Sequence, residues 1–343
     1  MYSNTELRSA VKAGVISNEA ANAFRSYVSE LHNSPAIDQE HVRLVTGFND
    51  IFVTIAILFV LGALTAIGLS AAPNSFGLPL AGLLVSISAW GLAEFFTRKR
   101  RMALPSIVLA LAFVGGTFLA LCIFNRYDGD IVSGLAIAVC SAGAAVAHWR
   151  RFRVPITMAA GVAAMAFAFL LPVLLLLLPF FPNDRATRTI VGLLIIGLGI
   201  FAFAMRWDLS DPTRETRRSD VAFWLHLLAA PIIAHPLFKW LGVSLNSNMS
   251  TGTAVGVVLI YFLFALVSLA IDRRALLASA LAYVLFAMAM LFRKAGVLQF
   301  EASFTALIVG SALLLLSAFW TDWRKTLLNL LPKALLRYLP PAG

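Results

Sequence analysis

The sequence predicts an all-α polytopic membrane protein with about ten transmembrane helices, and three observations carry that prediction. Hydrophobic residues make up 60% of the chain and charged residues only 13%. Mean hydropathy is +0.86, far above what a water-soluble domain shows. The apolar stretches reach about 20 residues, enough at 1.5 Å per residue to cross a hydrocarbon core of roughly 30 Å. They are also continuously apolar, whereas the strands of an outer-membrane barrel alternate apolar and polar over about ten residues.

The chain opens on a small element over residues 1–36. Residues 4–13 and 18–31 read as two short helices divided by Gly14-Val15-Ile16-Ser17, where glycine ends the first and Ser17 caps the second. Leu7 and Val11 are expected to face Ala20, Ala23, Phe24 and Tyr27. Such a hairpin would dock on the cytoplasmic face or hold a protein partner. Residues 1–49 are mixed and polar, unlike a cleavable signal peptide, so the first span is expected to act as the uncleaved insertion signal.

Ten spans follow, at about 50–70, 76–96, 103–124, 130–149, 155–180, 188–206, 220–241, 251–271, 275–292 and 301–320. The stretch 155–181 contains Pro172 and Pro179 and reads most simply as one long kinked span, because proline removes an internal hydrogen bond. Beyond the last span, residues 321–343 intersperse Trp323, Leu327, Leu328, Leu331, Leu335 and Leu336 with Arg324, Lys325, Lys333 and Arg337. Led by Trp320 and broken by Pro332, this is an interfacial amphipathic tail and not an eleventh span.

Orientation follows from the basic residues. With the spans as drawn, Arg8, Lys12, Arg25, Arg43, the run Arg98-Lys99-Arg100-Arg101, and Arg150, Arg151 and Arg153 fall on one side. So do Arg206, Arg214, Arg217, Arg218, Arg273, Arg274 and the four basic residues of the tail. That side holds 21 of the 27 lysines and arginines and is therefore cytoplasmic, with both termini, as expected for a bacterial inner membrane. The net charge of +10 is accounted for by topology and by anionic lipid headgroups, and calls for no nucleic acid.

A four-span pattern occurs twice. Asp50 and Asp220 each precede a long apolar helix, Arg100-Arg101 is answered by Arg273-Arg274, and Leu104-Pro105-Ser106 by Leu277-Ala278-Ser279. Ser141-Ala142 through Trp149 corresponds to Ser311-Ala312 through Trp320, so the landmarks recur in order at an offset of 170 to 173. Because an even number of spans separates the copies, both enter the membrane from the same side, as in a parallel repeat. The organisation is a first repeat at 50–149, two linking spans at 155–206, and a second repeat at 220–320.

Charge inside a span is costly, so each polar residue there needs a reason. Asp50 and Asp220 are placed to cap backbone N–H groups at a helix start, with Asn49 and Ser219 as alternative caps. The sharper reading pairs the aspartates across a pseudo-symmetric interface, with Arg43, Arg217 and Arg218 at hand. Glu94 either pairs with Arg98 one turn on or forms a proton or cation site. Span seven carries Trp224, His226, Pro231, His235, Pro236 and Lys239. Nine residues rotate His226 and His235 about 180° apart, so one helix cannot aim both at one ligand. Its prolines free carbonyls that would bind a cation or let the helix bend. His148, beside Trp149, is expected at the interface, and Tyr261 and Tyr283 need partners for their hydroxyls.

Cys122 and Cys140 differ in depth by roughly 10 Å, too far for a disulfide, and read as small packing residues. Gly115-Gly116, Gly192, Gly197 and Gly199 suit close helix contact. No metal-binding, nucleophile-elbow or phosphate-loop motif is present, so no enzyme, metal ion or cofactor is expected.

The hairpin with Ala13-Gly14-Val15-Ile16-Ser17, the segments Thr46-Gly47-Phe48-Asn49-Asp50-Ile51-Phe52 and Asp220-Val221-Ala222-Phe223-Trp224-Leu225-His226, and the tail from Trp323-Arg324-Lys325 to Leu336-Arg337-Tyr338-Leu339-Pro340-Pro341 carry a resemblance. The chain resembles a group of uncharacterised bacterial inner-membrane proteins with an N-terminal helical hairpin, a likeness that implies no activity. The expected function is therefore transport of a small solute or ion, with Glu94, His226, His235, Asp50 and Asp220 as candidate pathway residues. The alternative is a membrane scaffold or sensor that holds a cytoplasmic partner through its hairpin.

Overall fold

The computed structural model describes residues 4–31, 48–72, 76–122, 131–211, 214, 216–243, 250–294, 301–332, 336 and 339. Arg43, Arg126, Lys333, Leu335, Arg337 and most of the loop between residues 244 and 250 lie outside the described residues. Among the described residues every regular element is helical. Eight helices are long and apolar enough to cross a membrane, or ten if each of two bent pairs forms one span. The protein is thus an integral membrane protein of the polytopic all-α class.

The N-terminal hairpin is a compact unit of its own. Helix α1 (Asn4–Lys12) ends at Gly14, whose φ of +71° suits glycine, and α2 (Asn18–Leu31) starts where the Ser17 hydroxyl accepts the Ala20 N–H at 3.0 Å. The buried residue of α2 is Ala21, while Phe24 and Tyr27 are exposed.

In the main body, α3 (Phe48–Ala71) buries Asp50, Thr54, Ile57, Leu61 and Gly68 along one stripe. Phe52, Leu58 and Phe59 point outward. Exposed apolar surface on this scale is what a lipid-facing helix requires and a soluble one avoids. Helix α4 (Gly77–Ala93) runs into a π-helical turn, Glu94–Lys99, and α5 (Ala103–Leu121) follows. Small residues let these three approach closely: a Cβ on Gly82 would sit 2.6 Å from the Gly116 carbonyl oxygen, and one on Gly68 would run into the backbone of Ala81. Gly115 and Gly199, by contrast, have open space beside them.

Helix α6 (Ile131–Phe152) turns through Arg153, φ +58°, into α7 (Ile156–Leu176), which contains Pro172 and ends before Pro179. Helix α8 (Arg185–Leu209) is capped by Asp184, which accepts from the Thr187 hydroxyl at 2.6 Å and its backbone N–H at 2.9 Å. Those two bonds, the hydroxyl's above all, hold the Asp184 carboxyl below the usual aspartate range. Helix α9 (Arg217–Trp240) keeps Pro231 and Pro236 inside it and is the most buried of the eight spans.

Helix α10 (Thr251–Ile271) is capped by Ser250, and Asp272 at its end takes φ +58° before α11 (Ala275–Lys294) begins. Helix α12 (Glu301–Ala318) then bends 76° into α13 (Trp320–Leu330), which packs on α10 and ends ahead of Pro332.

Neighbours in sequence pack as pairs, α4 with α5, α6 with α7, α8 with α9, and α10 with α11. Helix α3 also reaches α5, α9 reaches α11, and α7 bridges the two sides by touching both α5 and α9. One apolar core surrounds Ala89, Leu109 and Ala110, and a larger one surrounds Ala229, Ala230, Phe238 and Val257.

Candidate functional site

The arginine-rich end of α8, α9 and the α10–α11 turn assembles a buried charged cluster. Asp208 stands one residue before the end of α8, His226 lies on the stripe of α9 that also buries Ala222, Ala229 and Ala230, and Arg273 follows the left-handed Asp272. Each of the three is no more than 2% exposed. His226 Nε2 is 2.9 Å from Asp208 Oδ2, and Arg273 Nη2 donates to Asp208 Oδ1 at 2.6 Å. Arg273 also donates to the hydroxyl of Ser219 at 3.0 Å and to its carbonyl at 3.2 Å.

The geometry fixes the protons. Asp208, paired with a guanidinium that never deprotonates, is ionised and can only accept. His226 Nε2 must therefore be the donor, and in the neutral ring Nδ1 carries the lone pair. Nδ1 is buried and has no hydrogen-bond partner among the described residues, and Phe201 stands edge-on to the ring at 5.2 Å. The cluster thus contains one vacant proton acceptor beside a neutralised charge pair.

A second ionic cluster adjoins the first through the chain. Arg214 donates to Asp272 Oδ2 at 2.6 Å and reaches the Ile271 and Asp272 carbonyls. The indole N–H of Trp320 donates to Asp272 Oδ1 at 2.6 Å, and Arg324 stands 4.0 Å from the same oxygen. Arg274 lies over the Trp320 ring at 4.8 Å. The α10–α11 turn is therefore tied to α8, α9 and α13 at once.

No family model, curated protein or solved structure matches the chain. Its chemistry has to be read from its own residues.

The sequence candidates fall in different places. Asp50 is buried in α3, and its Oδ2 accepts the backbone N–H of Ala103 at 3.2 Å. It thus caps the start of a neighbouring helix, α5. Asp220 sits half-buried in the first turn of α9, where the capping residue is Thr216 and Ser219 serves the Arg273 guanidinium. Glu94 takes the Arg98 guanidinium at 3.2 Å and Arg151 Nε at 2.7 Å on the outside of the bundle. His235 is on the exposed side of α9, 2.5 Å from the Tyr283 hydroxyl, whereas the Tyr261 hydroxyl is buried without a partner among the described residues. Cys122 and Cys140 are free, and Cys140 is exposed where a packing position was expected.

His148 departs most from its expected place. It is fully buried instead of interfacial, boxed by Trp90, Phe113 and Phe152, with Nδ1 3.1 Å from the Thr157 hydroxyl. Of the residues in the ionic cluster, sequence reasoning selected only His226. Asp208 was hidden because the apolar window closes at 206 while α8 runs on to Leu209. Arg273 looked like one more topology-setting arginine. The available signal was the adjacent acid and base Asp272-Arg273 at a helix–helix turn.

Proposed function

We propose that the protein moves a small solute or ion across the membrane and that His226, in its cluster with Asp208 and Arg273, is the proton-handling residue. One observation carries the reading: the vacant, buried Nδ1 of His226 beside a compensated Asp208–Arg273 pair. Ionisable groups buried in spans characteristically mark ion and proton pathways. Folding alone does not call for them, since a well-packed apolar replacement of a buried ion set is often as stable or more so. A proton taken at Nδ1 would leave the cluster with one net positive charge and loosen the hold of Arg273 on α8 and α9. The arginine-rich end faces the cytoplasm in this reading, following the positive-inside rule.

The test is proton flux in proteoliposomes loaded with a pH-sensitive dye. The native chain should relax an imposed pH gradient faster than empty vesicles. His226→Gln, whose amide N–H can still serve Asp208, should abolish the flux without lowering the melting temperature. Equal flux in the variant, or none in the native protein, rejects the assignment.

A second reading, a sensor or scaffold, is favoured by the exposed Phe24 and Tyr27 on a hairpin that forms its own compact unit. Deleting residues 1–31 should then abolish partner capture and leave flux untouched, whereas transport alone predicts no captured partner.

A further inference from the structure

A cavity of about 460 Å³ opens beside the ionic cluster, walled by Trp149, Arg153, Trp207, Thr216, Arg217 and Arg218. These residues come from four places: the last turn of α6, the α6–α7 turn, the end of α8 and the start of α9. Two half-buried indole rings form apolar walls, and three exposed arginines surround them. Arg153 lies over the Trp149 ring at 6.0 Å, and Arg217 Nη1 reaches the Arg153 carbonyl at 3.4 Å, so two of the three are positioned rather than loose.

No described carboxylate pairs with Arg153, Arg217 or Arg218. The nearby Asp211 is buried and turned to Thr216, accepting its N–H at 2.9 Å and its hydroxyl at 2.7 Å. At this end Arg98 and Arg151 are matched with Glu94, Arg214 with Asp272 and Arg273 with Asp208, whereas Arg100 and Arg101 are, like the cavity arginines, without a described acid but do not line this cavity. Three arginines line this concavity with no acid paired to them among the described residues, a lining that suits an anion. Guanidinium forks fit phosphate oxygens in pairs, and indole rings suit an apolar body joined to a polar head. The volume falls within the range of about 300–1,000 Å³ typical of small-molecule sites.

We infer that this cavity binds a phosphate ester, the phosphate held by Arg153, Arg217 and Arg218 and the adjoining carbon framework laid against Trp149 and Trp207. Its place at the ends of apolar spans, at the level where tryptophan and arginine meet headgroups, fits the phosphate of an anionic phospholipid. A soluble phosphate ester offers the same chemistry. The site is independent of the transport reading, although residues 216–219 run from it directly to Ser219 of the ionic cluster.

The experiment is native mass spectrometry of the detergent-purified full chain titrated with phosphatidylglycerol, phosphatidylcholine or glycerol 3-phosphate. Arg217→Gln/Arg218→Gln and Arg153→Gln are compared with Arg100→Gln/Arg101→Gln, a double substitution that removes two positive charges outside the cavity. Phosphatidylglycerol should bind at least tenfold more tightly than phosphatidylcholine. The cavity double variant should lose about tenfold in affinity, and the control less than twofold. Tight binding of glycerol 3-phosphate, lost in the same cavity variants, would support the site with a soluble ligand as its source. Equal losses in cavity and control variants, or no preference for phosphatidylglycerol or glycerol 3-phosphate over zwitterionic phosphatidylcholine, would show only diffuse surface charge and overturn the proposal. Arg217→Lys/Arg218→Lys guards against a folding artefact: it keeps the charge but not the fork and should fall between native and double variant.

Discussion

The two sides of the molecule close the same kind of turn with charges handled in opposite ways. Between α4 and α5, Arg101 takes φ +54° and remains exposed, and Glu94, just before the turn, shares its charge with Arg98 and Arg151 at the surface, while buried Asp50 of α3 caps the helix that follows. Between α10 and α11, Asp272 takes φ +58°, yet Asp272 and Arg273 are both buried and bonded to α8, α9 and α13. The buried histidines differ in the same sense: His148 is held by rings and a neutral hydroxyl, His226 by an ionised carboxylate. Backbone geometry at a turn therefore says little about how the charge beside it is stabilised. A charge left wet is replaceable, whereas a charge made dry depends on every partner.

The largest expected effect comes from removing one member of the dry set. Arg273→Met strands the Asp208 carboxylate with a single neutral donor and should cost about 3–5 kcal/mol, read as a fall in the detergent melting temperature. Arg101→Met should cost almost nothing by the same measurement. Replacing Asp208 with Leu in the Arg273→Met background should restore much of the loss, because the stranded charge is then gone. Similar costs for the two single arginine variants would erase the contrast. Next comes Trp320→Phe, which keeps a ring but takes a donor from buried Asp272, for a loss of about 1–3 kcal/mol.

One substitution made in both places sharpens the comparison. His148→Phe extends an aromatic box and lets the Thr157 hydroxyl fall back on a carbonyl of the preceding turn, so its cost should stay below about 1 kcal/mol. His226→Phe deprives an ionised carboxylate of a donor and should cost about 1–3 kcal/mol. Equal stability of the two phenylalanine variants would mean that Asp208 does not rely on His226.

Much of the architecture was legible because span length and apolar continuity are local properties. The helix starts near residues 76, 103, 251 and 275 follow from the sequence alone, as does the cap at Ser17. The charged cluster was not legible, because its members lie far apart in sequence and each has an ordinary local explanation. Arg273 counts toward topology, and Asp208 falls just past an apolar window. Asp50 shows the limit from the other direction: reading it as a helix-capping acid identified the chemistry, but the helix it caps is α5, 53 residues away.

The smallest effect is expected at Glu94, where surface exposure lets water replace either arginine. Glu94→Gln should leave the melting temperature unchanged within error, since exposed ion pairs contribute close to nothing once side-chain ordering is counted. Added salt should not move the native melting temperature through this pair either, because there is little attraction to screen. The same variant also probes where transport chemistry resides. If His226 handles the proton, Glu94→Gln carries native flux while His226→Gln carries none. Flux lost in Glu94→Gln with stability intact would move the pathway to the other side of the molecule, where Glu94 lies at the surface and the buried histidine, His148, is boxed by rings.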